Sequence, residues 1–175
     1  DTAILQLAIN YNQLEECEQY SIKIKFVESY EYLRFAYDCV DSVVVNFVKF
    51  KPLVKSEFVG TWSISEQSAF EDEPYADYLV EIIDGTGNTM IIDNLWNSGI
   101  PVTIVLDDSD PNSFVFSIPD QNYFVHGTYG QVKIVDLGPG TINVCDYIIS
   151  TSYKIYVPAG EFDILESSVW TKVVK

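Results

Sequence analysis

Basic residues are scarce in this sequence. Its 175 residues contain 10 lysines and arginines against 26 aspartates and glutamates, which gives a formal net charge of −16. Proteins that bind nucleic acid need clustered lysine and arginine to contact phosphates, so this class of partner is excluded. The same shortage disfavours direct contact with an anionic membrane surface. Solubility explains most acidity of this kind, with a cationic ligand or surface calcium as the alternative.

Histidine and cysteine, which supply many catalytic and metal sites, are equally scarce. The single histidine, His126, excludes multi-histidine metal sites. Cys17, Cys39 and Cys145 are odd in number and widely spaced, so they form neither a disulfide framework nor a zinc motif, although one bridge stays open. The sequence also has no Gly-x-Ser-x-Gly nucleophile motif and no glycine-rich phosphate loop.

One acidic segment has the spacing of a calcium loop. Asp108, Asp110 and Asn112 alternate as calcium ligands do, but Pro119 stands where such a loop has its glutamate. This favours a hairpin turn over a calcium site. Since no nucleophile, base or ligand set is apparent, we expect no enzymatic activity, no cofactor and no bound metal.

Glycine is missing from the first third of the chain. Residues 1–56 contain no glycine and one proline, whereas residues 57–175 contain all nine glycines and the other six prolines. The charge changes as well, from 8 acidic and 6 basic residues (net −2) to 18 acidic and 4 basic residues (net −14). We therefore predict an N-terminal β region at 1–56 and a second domain at 57–175.

Long apolar runs are also missing, and none reaches the roughly 18 residues of a membrane helix. Asp1 leads directly into patterned sequence without a signal peptide or an initiating methionine, so we expect a processed or trimmed chain. What the sequence has is abundant aromatic and β-branched residues in alternating patterns, which are typical of strands. The fold class predicted is all-β.

The alternation places strands throughout both parts. In the first part we expect strands at 3–9, 22–26, 33–37 and 42–50, with a helical turn at 14–17, as in part of an immunoglobulin-like or fibronectin-like sandwich. In the second part turn residues recur every 10 to 12 positions. The predicted strands there are 57–65, 77–84, 88–94, 101–107, 113–118, 124–128, 131–136, 141–149, 152–157 and 167–174, with a short helix at 160–165.

The stretch Gly60–Thr61–Trp62 resembles the first strand of calycin proteins, the lipocalin-like and avidin-like barrels. In that superfamily a basic residue of the last strand packs across the tryptophan to close the barrel, and Lys172 matches this position. The resemblance covers about residues 57–174. It implies an antiparallel up-and-down barrel of about eight strands, with Gly60, Trp62 and Lys172 at its closure. The alternative is a single large β-sandwich.

Further segments are similar to secreted calycin-like envelope proteins of Bacteroidetes bacteria. They are the stretches 96–102, 119–121 and 129–132. Such proteins often carry a sandwich-like domain before the barrel, and many are lipoproteins. The resemblance implies a secreted or cell-envelope location, most simply as an outer-membrane lipoprotein. Membrane contact would then occur only through a lipid anchor outside this chain.

Aromatic residues near turns are the candidate ligand-binding residues. Trp96, Tyr123, His126 and Tyr129 combine stacking surface with hydrogen-bonding groups and are expected at the rim of the barrel. The interior is expected to be mostly apolar, with Phe58, Trp62, Val80, Ile82, Ile104, Phe114 and Phe116. These features predict a non-catalytic binding module for a small apolar molecule or a glycan. The alternative is a structural or adhesive surface module whose barrel is filled with side chains.

Overall fold

The computed structural model describes residues 6–25, 42–110 and 113–173. The chain divides into two compact units, Asp1–Lys51 and Pro52–Lys175. Every described strand pair is antiparallel, and the helices among the described residues are short 3-10 turns. The all-β class is therefore confirmed.

The first unit contains a two-stranded antiparallel sheet. Strand β1 (Gln19–Lys25) pairs with β2 (Ser42–Val48), where predicted strands lie. Side chains of β1 alternate between half-buried and exposed, as its sequence pattern predicts. Two expectations are wrong: residues 6–9, the described part of the first predicted strand, are not in a strand, and the 3-10 turn lies at Tyr11–Gln13 instead of 14–17. The predicted strand at 33–37 lies outside the described residues.

The second unit is a sheet closed on itself. A 3-10 turn (Lys55–Phe58) precedes it, and another (Leu95–Asn97) interrupts it. Its strands are β3 (Gly60–Ser68), β4 (Tyr78–Asp84), β5 (Thr89–Asp93), β6 (Val102–Asp107), β7 (Val115–Ser117), β8 (Gln121–His126), β9 (Gly130–Asp136), β10 (Gly140–Asn143), β11 (Ile148–Val157) and β12 (Gly160–Lys172).

These segments form an eight-stranded up-and-down barrel. Strands β7 and β8 are the two halves of one bent strand, as are β9 and β10, because β7 pairs with β10 and β8 with β9. Strand β11 pairs with both β10 and β9, and β12 pairs with β3 to close the ring. Neighbouring strands are antiparallel throughout. The predicted barrel is therefore confirmed, and the alternative of one large sandwich is wrong.

Two element predictions need correction. The expected helix at 160–165 is the first half of β12, a strand of 13 residues that pairs with β11 along its whole length. The expected strand at 141–149 is broken by a turn, because the Asn143 side chain accepts hydrogen bonds from the backbone of Cys145 and Asp146. Tyr147 has a left-handed backbone (φ 51°) at this turn.

The residues expected at the barrel closure meet at one end. Trp62 is fully buried, its indole nitrogen donates to the Phe58 carbonyl at 2.9 Å, and Lys172 lies directly opposite it in the β3–β12 register. The Lys172 ammonium donates to the Glu57 carbonyl and lies 5.4 Å from the centre of the Tyr147 ring. Gly60 adopts φ 123°, a conformation that favours glycine.

The barrel is filled with side chains. Its largest fully buried members include Trp62, Trp170, Tyr153, Phe58 and Phe116, and Phe116 packs edge-on against Trp170 at 4.9 Å. All seven residues expected in the interior from the sequence are buried. The expectation of a mostly apolar interior is incomplete, however, because two carboxylates are buried among these side chains.

Candidate functional site

A recess opens at one end of the barrel, between the loop before β4 and the turn after β5. It has a volume of about 190 Å³ and is lined by Glu66, Tyr75, Ala76, Tyr78, Trp96 and Asn97. Ala76 and Asn97 are exposed, the three aromatic residues are half-buried, and Glu66 is only 2% exposed. The recess therefore runs from solvent past three rings to a buried carboxylate.

The Glu66 carboxylate is the centre of a hydrogen-bond network inside the barrel. Its Oε1 accepts from the hydroxyls of Tyr153 at 2.6 Å and Ser168 at 2.8 Å, and its Oε2 accepts from Tyr78 at 2.8 Å. Burial raises the pKa of Glu66, and nearby Asp163 adds to this, while the three hydroxyl donors act in the opposite direction. A carboxylate this deep is tolerable only because its oxygens have donors.

Asp163 forms a second buried centre. Its Oδ1 accepts from Ser68 at 2.6 Å, and its Oδ2 accepts from the Tyr75 hydroxyl at 2.7 Å and the Trp96 indole nitrogen at 3.3 Å. Asp163 is 2% exposed. It thus ties two rings of the recess to strand β12.

The tyrosines of the two networks remain protonated donors. Burial and the Glu66 charge raise the pKa of Tyr78 and of Tyr153 well above the ordinary value. Burial also raises the pKa of Tyr75. Each hydroxyl hydrogen therefore stays committed to a carboxylate at physiological pH.

Trp96 is held over the recess by a strained turn. Asn94, Trp96 and Asn97 all have left-handed backbone conformations, with φ of 71°, 52° and 49°. For a bulky residue such as Trp96 this conformation costs on the order of 1–3 kcal/mol, whereas asparagine adopts it more readily. The turn is fixed by buried Leu95 and by the Asn94 side chain, which accepts from the backbone nitrogen of Gly99 at 2.8 Å.

Tyr123, expected at the rim, supports this turn from inside. It is 7% exposed, its hydroxyl donates to the Leu95 carbonyl, and it lies 2.5 Å from the Ser98 oxygen. Burial raises its pKa to about 12. Its place is therefore beneath the turn from Leu95 to Ser98 and not on the surface where a ligand would stack.

His126 and Tyr129 lie together on the β8–β9 hairpin. Their rings stack at 5.0 Å, and both contact Phe162 of β12, at 5.4 Å and 5.7 Å. The His126 Nδ1 accepts from the backbone nitrogens of Thr128 and Tyr129. A pocket of about 370 Å³ adjoins Tyr129 and Phe162.

Ring contacts join this group to Trp96. Phe124 stacks on Trp96 at 6.4 Å with an interplanar angle of 13°, and it contacts Phe162 at 6.2 Å. We call the series Trp96, Phe124, Phe162, His126 and Tyr129 the aromatic strip. Its members are half-buried except Tyr129, which is 59% exposed. Three of the four expected rim residues thus belong to one surface, and Tyr123 lies below it.

The ligand-binding residues expected from the sequence did not include Glu66, Tyr75, Tyr78 or Asp163. A signal for Glu66 was present, since alternation along β3 places it on the same face as Trp62. Asp163 had no such signal, because an irregularity between Leu165 and Ser167 breaks the alternation of β12.

Within the described residues, no three His, Cys, Asp or Glu side chains are grouped so that they could hold a metal ion. The described part of the chain also has no helix with the length and apolar composition needed to cross a membrane. Comparison with protein-family models, with curated proteins and with solved structures finds no match.

Proposed function

We propose that the chain is a non-catalytic binding module, and that its ligand contacts the mouth of the barrel through the aromatic strip. The observation that carries this proposal is the unbroken series of ring contacts from Trp96 to Tyr129. A glycan is the ligand class that suits it best, because sugar rings stack on aromatic faces and hydrogen-bond to their polar edges.

The filled interior argues against an apolar ligand inside the barrel. Trp62, Trp170 and Tyr153 are fully buried there, and a guest molecule would have to displace them. The two buried carboxylates support a non-catalytic role, since their oxygens already accept hydrogen bonds from the protein.

The closed barrel and the Trp62–Lys172 pairing support the resemblance to calycin-like envelope proteins. On that basis we propose a secreted or cell-envelope location, with any membrane attachment through a lipid anchor outside this chain. The second candidate function is a structural or adhesive surface module. It is favoured by the same filled interior, which needs no ligand to complete it.

A glycan screen followed by substitution separates the two functions. Trp96→Ala and Tyr129→Ala should each weaken binding of a hit by about tenfold, which corresponds to about 1.4 kcal/mol. Val125→Ala is the control, since Val125 is 75% exposed on β8 and its side chain is not aromatic. Calorimetric titration measures each affinity. A panel without any hit, or an equal loss in all three variants, would favour the structural module.

A further inference from the structure

We propose that the recess beside Trp96 is a second binding site and that it takes a methylated ammonium group. This goes beyond the proposed glycan contact, because most of the recess lies outside the aromatic strip. The recess is lined by Glu66, Tyr75, Tyr78 and Trp96, with Ala76 and Asn97 at its exposed side.

The lining is rich in ring surface. Tyr75, Tyr78 and Trp96 all border a volume of only about 190 Å³. A cation within about 6 Å of an aromatic ring face is attracted by the electron density of that face, and the attraction grows when water is excluded. Three rings around one small volume are the arrangement by which proteins recognise alkylated ammonium ions.

The polar hydrogens of these rings are already used. The Tyr75 hydroxyl and the Trp96 indole nitrogen donate to Asp163, and the Tyr78 hydroxyl donates to Glu66. Tyr78 also accepts from the Trp96 backbone nitrogen at 2.8 Å. An anion needs donors from its site, so these groups serve such a ligand poorly, whereas a methylated cation needs none.

The charge at the recess has one sign. Glu66 lies at its deep end, and the acidic residues Glu71, Asp72, Glu73 and Asp77 flank Tyr75 in the chain. Among the described residues no lysine or arginine lines the recess. The described lysines of this unit bond elsewhere: Lys55 to Asp84, Lys133 to Asp120, Lys154 to Glu161 and Lys172 to the Glu57 carbonyl.

Glu66 has room for a further favourable contact. Among the described donors its Oε2 accepts from Tyr78, and a carboxylate oxygen carries two lone pairs. A buried negative charge without a basic partner is stabilised by any cation that approaches it. The recess thus combines three aromatic side chains with a carboxylate that has no basic partner among the residues lining it.

The size of the recess selects a small head group. A volume of about 190 Å³ that opens to solvent beside Ala76 and Asn97 suits one trimethylammonium group with its chain directed to solvent. A primary ammonium carries three N–H donors that need acceptors. The largely aromatic lining satisfies such donors less well than it satisfies methyl groups.

Two probes of nearly equal shape test the charge requirement on the unmodified protein. Choline and its neutral isostere 3,3-dimethylbutan-1-ol are titrated separately by calorimetry and by ¹H–¹⁵N NMR. We expect choline to bind at least tenfold more tightly, with shifts at the Trp96 indole and the Asn97 backbone. Equal affinities, no binding of choline, or shifts confined to the β8–β9 hairpin would overturn the proposal.

Two variants then locate the site. Tyr75→Leu replaces the ring by a smaller apolar side chain and removes the hydroxyl that donates to Asp163, and it should weaken choline binding about tenfold. Tyr129 belongs to the aromatic strip and does not line the recess, so Tyr129→Ala should leave choline affinity unchanged. Weaker choline binding by Tyr129→Ala, together with unchanged binding by Tyr75→Leu, would show that the recess is not the choline site. A chain that binds choline but no glycan would refute the proposed function alone, so the two proposals fail separately.

Discussion

Replacing Glu66 with glutamine should change how the stability of the protein depends on pH. Glu66 is 2% exposed and faces Tyr78, Tyr153, Ser168 and Asp163. Burial raises its pKa above the ordinary value, whereas the three hydroxyl donors lower it. The substitution keeps the shape of the side chain and removes the ionisation, so it isolates the balance between these effects.

The direction of this pH dependence follows from whether the folded or the unfolded state binds the additional proton at Glu66. Between the pKa of Glu66 in the unfolded chain, about 4.3, and its higher pKa in the folded protein, the folded state binds one proton more than the unfolded state. The free energy of unfolding should therefore fall as pH rises through this window, by up to about 1.4 kcal/mol per pH unit. Glu66 thus contributes most to stability at low pH.

Urea denaturation from pH 3 to pH 8, followed by tryptophan fluorescence, measures this contribution. Wild type and Glu66→Gln share the other carboxylates, so the pH dependence of the difference between their unfolding free energies reports on Glu66 together with its coupling to Asp163. We expect wild type to lose stability relative to the variant as pH rises above about 4.3. Parallel curves would show that the pKa is not raised. A relative gain of stability by wild type would show that the hydroxyl donors outweigh burial.

Three further results are expected. Trp62→Ala should lower the free energy of unfolding by about 3–5 kcal/mol in urea denaturation, since it empties a fully buried site, and a loss below about 1 kcal/mol would contradict the packing described. Gly140→Ala should lower the free energy of unfolding by about 1–3 kcal/mol, because a Cβ at this position would lie 2.7 Å from the Ser150 carbonyl oxygen. Gly138→Ala is the matched control, since a Cβ there would have no atom within 4 Å. Equal melting temperatures of the two glycine variants would show that position 140 has room for a Cβ. Limited proteolysis should leave a folded fragment that begins within residues 52–54, at the start of the second unit. Mass spectrometry identifies the first residue of each resistant fragment, and fragments that all begin elsewhere would contradict this boundary.

The barrel could be predicted because its strands follow simple alternation. Residues of β3 face inward at every second position from Trp62 to Ser68, and turns separate most of the strands where the sequence places glycine, asparagine or aspartate. The prediction failed at residues 160–165, which were expected to form a short helix but pair with β11 as part of β12. Pairing with β11 makes this segment a strand, and such pairing between distant segments cannot be recognised from the local sequence pattern.

The candidate site was less accessible to sequence reasoning. Trp96 was identified from its neighbours, but its left-handed backbone and its bond to Asp163 depend on contacts distant in the chain. The network around Glu66 joins residues up to 102 positions apart. An isolated acidic residue in a strand does not reveal whether it faces solvent or a set of hydroxyl donors.

The central claim is that ligands bind at the mouth of the barrel and leave its interior closed. Three indole N–H groups report on this directly by NMR: Trp96 bonds to Asp163 at the recess, whereas Trp62 and Trp170 bond to Phe58 and Ser168 inside. On titration with choline or a glycan hit, we predict that the Trp96 signal shifts and that those of Trp62 and Trp170 stay in place. Comparable shifts of the two interior signals, or an unmoved Trp96 signal at saturating ligand, would contradict the claim.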